Sequence, residues 1–202
     1  MLHPRKPASS AWRALPAVLL ACSLSTPAGA YDLPLSEESI RDAYSLGSRN
    51  GGLKPDFLAK YALSIPDLKQ GTRTSEGRIE TPFLQVADYS GRVPNYSAQG
   101  AVQDFFGKPM SFRIHLDVCY CLRAPANAIK IQVLQNKKIV VPESFESSPY
   151  SEPTDFGFLP PNGEQITLEF RPAKIDSSGL TIVIDTSDGQ HAETLFELQS
   201  IR

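Results

Sequence analysis

The chain has 202 residues, with 20 Lys+Arg against 22 Asp+Glu and three His, for a formal net charge of −2. That balance lacks the basic footprint a phosphate backbone requires, which excludes nucleic acid as a partner class. The length suits one ordinary domain with a real core, plus a small appendage.

Residues 1–30 read as an export signal. Arg5, Lys6 and Arg13 supply the positive start, "ALPAVLLACSL" a short apolar run, and "AGA" at 28–30 small residues for cleavage before Tyr31. The run is shorter than the ~20 apolar residues a spanning helix needs, so no transmembrane segment is expected in the mature chain. Cleavage leaves 202 − 30 = 172 residues, and 17 basic against 22 acidic groups give them a charge of −5. The expected location is therefore outside the cytoplasm, periplasmic or extracellular. The alternative rests on "LLAC", residues 19–22, which is similar to a bacterial lipobox; Cys22 would then anchor an envelope lipoprotein through lipid.

Residues 31–77 read as a helical hairpin packed on the main domain. Ser36 is a good cap, Glu37 and Glu38 suit the positive helix end, and Ile40, Ala43 and Tyr44 recur at helical spacing. Gly47, Gly51 and Gly52 are expected to stop this helix. A second starts at Pro55, with Phe57, Leu58, Tyr61 and Ala62 on one face, and ends at Pro66.

From residue 78 to 202 the period becomes two. "RIETPFLQVADY" alternates weakly, and Pro82 places it on a sheet edge or at a strand start. "YSAQGAVQDFFGK" interrupts as a short helix capped by Ser97 and stopped at Gly107. "MSFRIHLDVCYCL" then puts Phe112, Ile114, Leu116 and Val118 on one face and Arg113, His115, Asp117, Cys119 and Cys121 on the other. "AIKIQVL" and "KIVV" flank "QNKK" as a hairpin, and "EQITLEF", "GLTIVIDT" and "HAETLFEL" add further strands. Six or seven short strands with regular turn signals give the expected class: mainly β, an antiparallel immunoglobulin-like β-sandwich with an N-terminal helical hairpin. The Cys, Trp, Cys spacing of true immunoglobulin domains is absent.

Candidate chemistry centres on His115, Asp117, Cys119 and Cys121. Same-face neighbours on a strand lie about 6.6 Å apart, so one ion held at about 2.0–2.3 Å cannot collect all four. His191 is the other His of the mature chain and the natural second-strand donor. The plainer reading is a solvent-facing polar strand face. For Cys119 and Cys121 a strained local disulfide, a thiol pair, an intermolecular bond and a metal site all stand open. No cofactor is expected, and no hydrolase or nucleotide-binding signature occurs.

Residues 142–163 form the longest stretch without helix or strand pattern. Phe145, Tyr150, Phe156 and Phe158 within it are candidates for a ligand-binding loop that meets a protein or glycan, or for a cover on one end of the sandwich. Finally, the order of "YDLPLSEESIRDAYSLGSRN", "TPFLQV", "NYSAQGAVQDF" and "SDGQHAETLFEL" resembles a group of exported bacterial proteins of uncharacterised function. The resemblance implies export and a shared fold and assigns no activity. The expected role is a non-enzymatic binding or assembly module of the cell envelope; the alternatives are a thiol- or metal-dependent protein using Cys119 and Cys121, and an unrecognised hydrolase.

Overall fold

Two periodicities in the sequence become two cores in the structure. The computed structural model describes residues 34–49, 52–66, 68, 72–120, 129–150, 153–154, 157–158, 163–186 and 189–202. Residues 1–30, expected to be an export signal, therefore lie outside the described residues.

Helical periodicity builds the first core. Helix α1 (Glu37–Gly47) begins where the Ser36 side chain accepts from the Ser39 N–H, with Glu37 and Glu38 in the first turn. Pro55 starts α2 (Pro55–Leu58), one turn continued by a 3-10 turn at Ala59–Tyr61. The segment expected to run as an edge strand through Pro82 is instead divided. "RIE" ends strand β1 (Thr72–Glu80), and "PFLQVADYSGR" is helix α3 (Pro82–Arg92). Its cause is local: Thr81 accepts from the Leu84 N–H, and Pro82 occupies the first helical turn, where a missing N–H costs nothing. Helix α4 (Ala98–Phe105) starts at the expected Ser97 cap.

Helix α1 packs on α3 and α4, burying Ile40, Ala43, Phe83, Val86, Ala87 and Ala101 together. Gly47, expected to stop α1, lies in its last turn, and Ser48 is the cap residue. Its role is close approach, because a Cβ there would run into the Ala87 carbonyl of α3.

Period-two segments build the second core. Strands β2 (Phe112–Tyr120), β3 (Ile129–Gln135), β4 (Lys138–Ile139), β5 (Ser144–Tyr150), β6 (Pro153–Thr154), β7 (Gly157–Phe158), β8 (Gly163–Phe170), β9 (Leu180–Thr186) and β10 (His191–Phe196) complete the set. They form two antiparallel four-stranded sheets, β1-β2-β8-β5 and β10-β9-β3-β4, with β6-β7 as a small pair. Ile114, Leu116, Ile166 and Leu168 of the first sheet share one buried cluster with Val133, Leu180, Ile182 and Ile184 of the second. The apolar faces meet and the polar faces look outward, the arrangement of a β-sandwich.

Asn136 and Lys137 carry φ of 52° and 63°, as the two-residue turn of the expected β3–β4 hairpin requires. Strand β5 revises the expected 142–163 loop, since "SFESSPY" pairs with β8 along its whole length. Its Ser, Glu and Pro content hides it from propensity. Pro149 is tolerated because β5 is an edge strand with no further neighbour among the described residues. Among the described residues, no helix is long and apolar enough to cross a membrane.

The polar outer face of the first sheet as a candidate functional site

Alternation on β2 turns Arg113, His115 and Asp117 outward, and strand register decides what each one meets. Arg113 lies between Glu80 of β1 and Glu169 of β8, which in turn faces Ser144 of β5. His115 lies between Arg78 and Thr167, and Asp117 between Glu76 and Gln165. The outer face is thus a polar grid in which each column is one strand.

Hydrogen bonds tie the columns together. Arg113 Nε donates to Glu169 Oε1 at 2.6 Å and its Nη1 stands 3.6 Å from Glu80 Oε2. His115 Nε2 lies 3.1 Å from the same Glu80 oxygen, and its Nδ1 lies 3.0 Å from Thr167 Oγ1. Glu80 accepts from Nε2, and the Thr167 hydroxyl can accept from or donate to Nδ1 according to the protonation of the ring. Ser144 donates to Glu169 Oε2 at 3.1 Å, and Gln165 Nε2 donates to Asp117 Oδ1 at 3.0 Å. Burial pushes the Glu80 carboxyl up, but the His115 hydrogen bond and the charges of His115, Arg113 and Arg78 outweigh it, leaving Glu80 below the ordinary range. Glu169 is lowered in the same way, with burial opposed by Arg113, Ser144 and Ser111.

Beside His115 the face dips into a polar recess of about 320 Å³ lined by Glu76, Arg78, Asp117, Gln165 and Thr167. The chain Thr167–His115–Glu80 places a hydroxyl, an imidazole and an orienting carboxylate in line. Acyl transfer also needs donors aimed at a developing oxyanion. Strand β8 is central in its sheet, so the backbone N–H groups around Thr167 serve its ladders with β2 and β5. The contacts tie β1, β2 and β8 together across the outer face as a three-strand clamp, and the sequence pattern alone could not name Glu80, Thr167 and Glu169 as its partners.

The remaining sequence candidates are dispersed. Cys119 follows Asp117 on the same alternation yet is only 1% exposed. It faces Gly163, where a Cβ would collide with the Val118 carbonyl, so β8 lies hard against β2 at that point. Cys121 and Cys22 lie outside the described residues, and with them the Cys119–Cys121 bond. His191 sits on β10 of the second sheet, 2.7 Å from Asp185 Oδ1. It projects from the opposite outer face, so the structure does not bring the two His together. Among the described residues no group of three or more His, Cys, Asp and Glu is placed to hold a metal.

Of the aromatic loop candidates, Phe145 lies on β5 opposite Leu168, pointing to the inner side of the sheet, yet it is 55% exposed. Phe158 is in β7, while Phe156 and the side chains of Tyr150 and Phe158 fall outside the described part of the chain. Val141, 64% exposed, and Ile139 accompany Phe145 where the chain passes from the second sheet to the first. No protein-family model matches this chain, and searches of curated proteins and of solved structures find no match.

Proposed function

We propose that this chain is an exported, non-enzymatic binding or assembly module of the bacterial cell envelope. In this reading the sandwich is immunoglobulin-like, with the helical segments before β1 as its amino-terminal hairpin. Strand order supports the likeness: taken in sequence, β1, β2, β8 and β5 correspond to A, B, E and D, and β3, β9 and β10 to C, F and G.

The observation that carries the binding role is the apolar rim at residues 139–145. Ile139, Val141 and Phe145 are exposed within one short stretch, beside an edge strand whose outer backbone groups face no other strand among the described residues. Exposed apolar side chains next to an unpaired edge are what a protein partner covers, by adding a strand and filling the pockets between side chains.

A photoreactive residue at position 145, compared with one at 195 on the far edge of the other sheet, tests this in cells. A single crosslinked product from 145 only, lost with Val141→Asp, is expected. Equal products from both positions, or none, overturn the reading. Intact mass of the recovered protein tests export: a start at Tyr31 is expected, whereas a lipidated Cys22 would make it a lipoprotein. The alternative, a thiol- or metal-dependent protein using Cys119 and Cys121, is favoured if the same measurement finds two alkylatable thiols without reduction or a bound metal.

A further inference from the structure

Where the helical layer meets one end of the sandwich, the structure leaves a cavity of about 610 Å³. Its body is apolar: Leu35 ahead of α1, Pro82 at the start of α3, Phe105 at the end of α4, Met110 before β2, Phe170 at the end of β8 and Pro172 just after it. Volume and lining fall in the range of small-molecule sites, which are mostly apolar with a few placed polar groups.

The polar groups gather at the mouth and are unbalanced in charge. Arg171 is paired with Glu143, whereas Lys108 has no ion-pair partner among the described residues. One cation is left over at the entrance of an apolar cavity, in a chain whose net charge is negative.

We propose that this cavity binds a single-chain amphipathic anion, an alkyl carboxylate in chemical class, with the chain against Leu35, Phe105 and Met110 and the head group at Lys108. Long apolar tails favour the site because the cavity removes them from water, and an ammonium on a flexible stem can meet a carboxylate without a fixed fork geometry. The cavity adjoins the 139–145 rim at Glu143 but is not lined by Ile139, Val141 or Phe145, and its ligand binding stands independently of the partner role proposed for them.

Calorimetry on the purified protein with hexanoate, octanoate and decanoate, each below its aggregation threshold, tests the tail. Affinity is expected to rise about fourfold per methylene, the factor for burying one CH₂, until the cavity is filled. The uncharged decanol and the cationic decylamine test the head group: both are expected to bind more weakly than decanoate. Lys108→Glu, a change at an exposed residue, is expected to weaken decanoate several-fold and leave decanol unchanged. Ala173→Trp, which plugs the mouth from another exposed position, is expected to abolish both. The proposal is overturned if decanoate shows no saturable binding, if affinity ignores chain length, if decylamine binds as well as decanoate, if Ala173→Trp has no effect, or if only vesicles of anionic phospholipid are bound.

Discussion

The two long sides of the sandwich are finished in opposite ways. On the β1/β10 side, residues 62–65 lie over the seam: Leu63 N–H donates to the Gly77 carbonyl at 2.7 Å, Ala62 bridges to Arg78, and Thr194 Oγ1 donates to the Ser64 carbonyl at 2.7 Å. Gly77 makes this close approach possible, since a Cβ there would press on Leu63, Ile65 and Leu116 at 3.0–3.3 Å. On the β4/β5 side, β4 is only two residues long and cannot extend over β5, so Phe145 points inward and still meets solvent. An inward-facing residue becomes core only where the opposite sheet, or a segment of chain, reaches over it.

The largest contrast is expected from truncating one apolar residue on each side. Leu63 is buried in the sandwich core, so Leu63→Ala should cost about 2–3 kcal/mol through lost transfer energy and a residual cavity. Phe145→Ala should stay within about 0.5 kcal/mol, as for other exposed positions. Urea unfolding of both variants checks this, and equal losses would mean that the open side is packed after all.

The closed side is also where a titrating group is locked in. Tyr61 is 2% exposed, its hydroxyl donates to the Arg202 main-chain oxygen at 2.9 Å, and Thr81 Oγ1 donates to the same oxygen at 2.6 Å. Burial pushes the Tyr61 phenol up to about 12. A raised folded value means the neutral form is favoured by folding, so this stabilisation is complete below pH 10 and disappears as pH climbs toward 12. The shift corresponds to about 2–3 kcal/mol. Tyr61→Phe should flatten that alkaline decline, leaving the part due to Tyr96, whose phenol is also raised by burial and by its bond to Asp104. Urea midpoints across the alkaline range measure it, and an unchanged decline in the variant would remove Tyr61 as the cause.

How much of this was legible in the sequence differs by element. The caps at Ser36 and Ser97, the inside–outside division of β2 and the Asn136–Lys137 turn were readable because each is a local rule acting on adjacent residues. Helix α3 was not, because Thr81–Pro82 fits both a strand edge and a helix start, and burial of Phe83, Val86 and Ala87 against α1 is what chooses between them. Strand β5 was hidden by a composition that only pairing with β8 overrides. At the candidate site, the polar side of β2 was visible but its partners were not. Which of Glu76, Arg78 and Glu80 meets His115 depends on the register of β1, and that register includes an irregularity between Thr74 and Glu76 that no pattern announces. The apolar cavity was invisible for a stronger reason, since its walls come from segments scattered between residues 34 and 173.

A smaller pH effect than that of Tyr61 lies on the outer face of the closed side, where Glu80 joins β1 to His115 and Arg113. Its carboxyl is below the usual 4.5, so folding favours the ionised form. That contribution is present above pH 4.5 and is lost as pH falls through the lower, folded value. Glu80 is 15% exposed and Arg113 38%, so solvent already screens part of the pairing and the effect should fall short of the alkaline one. Glu80→Gln keeps the shape and a donor or acceptor for His115 while removing the charge. Wild-type urea midpoints should drop once the pH goes below 4.5. The variant should be less stable at neutral pH and decline less steeply in acid, with the remaining slope coming from Glu169 and Asp176, whose carboxyls are also lowered. A variant that declines as steeply as the wild type would show that the acid sensitivity resides elsewhere and that the clamp does not hold β1 to β2 through charge.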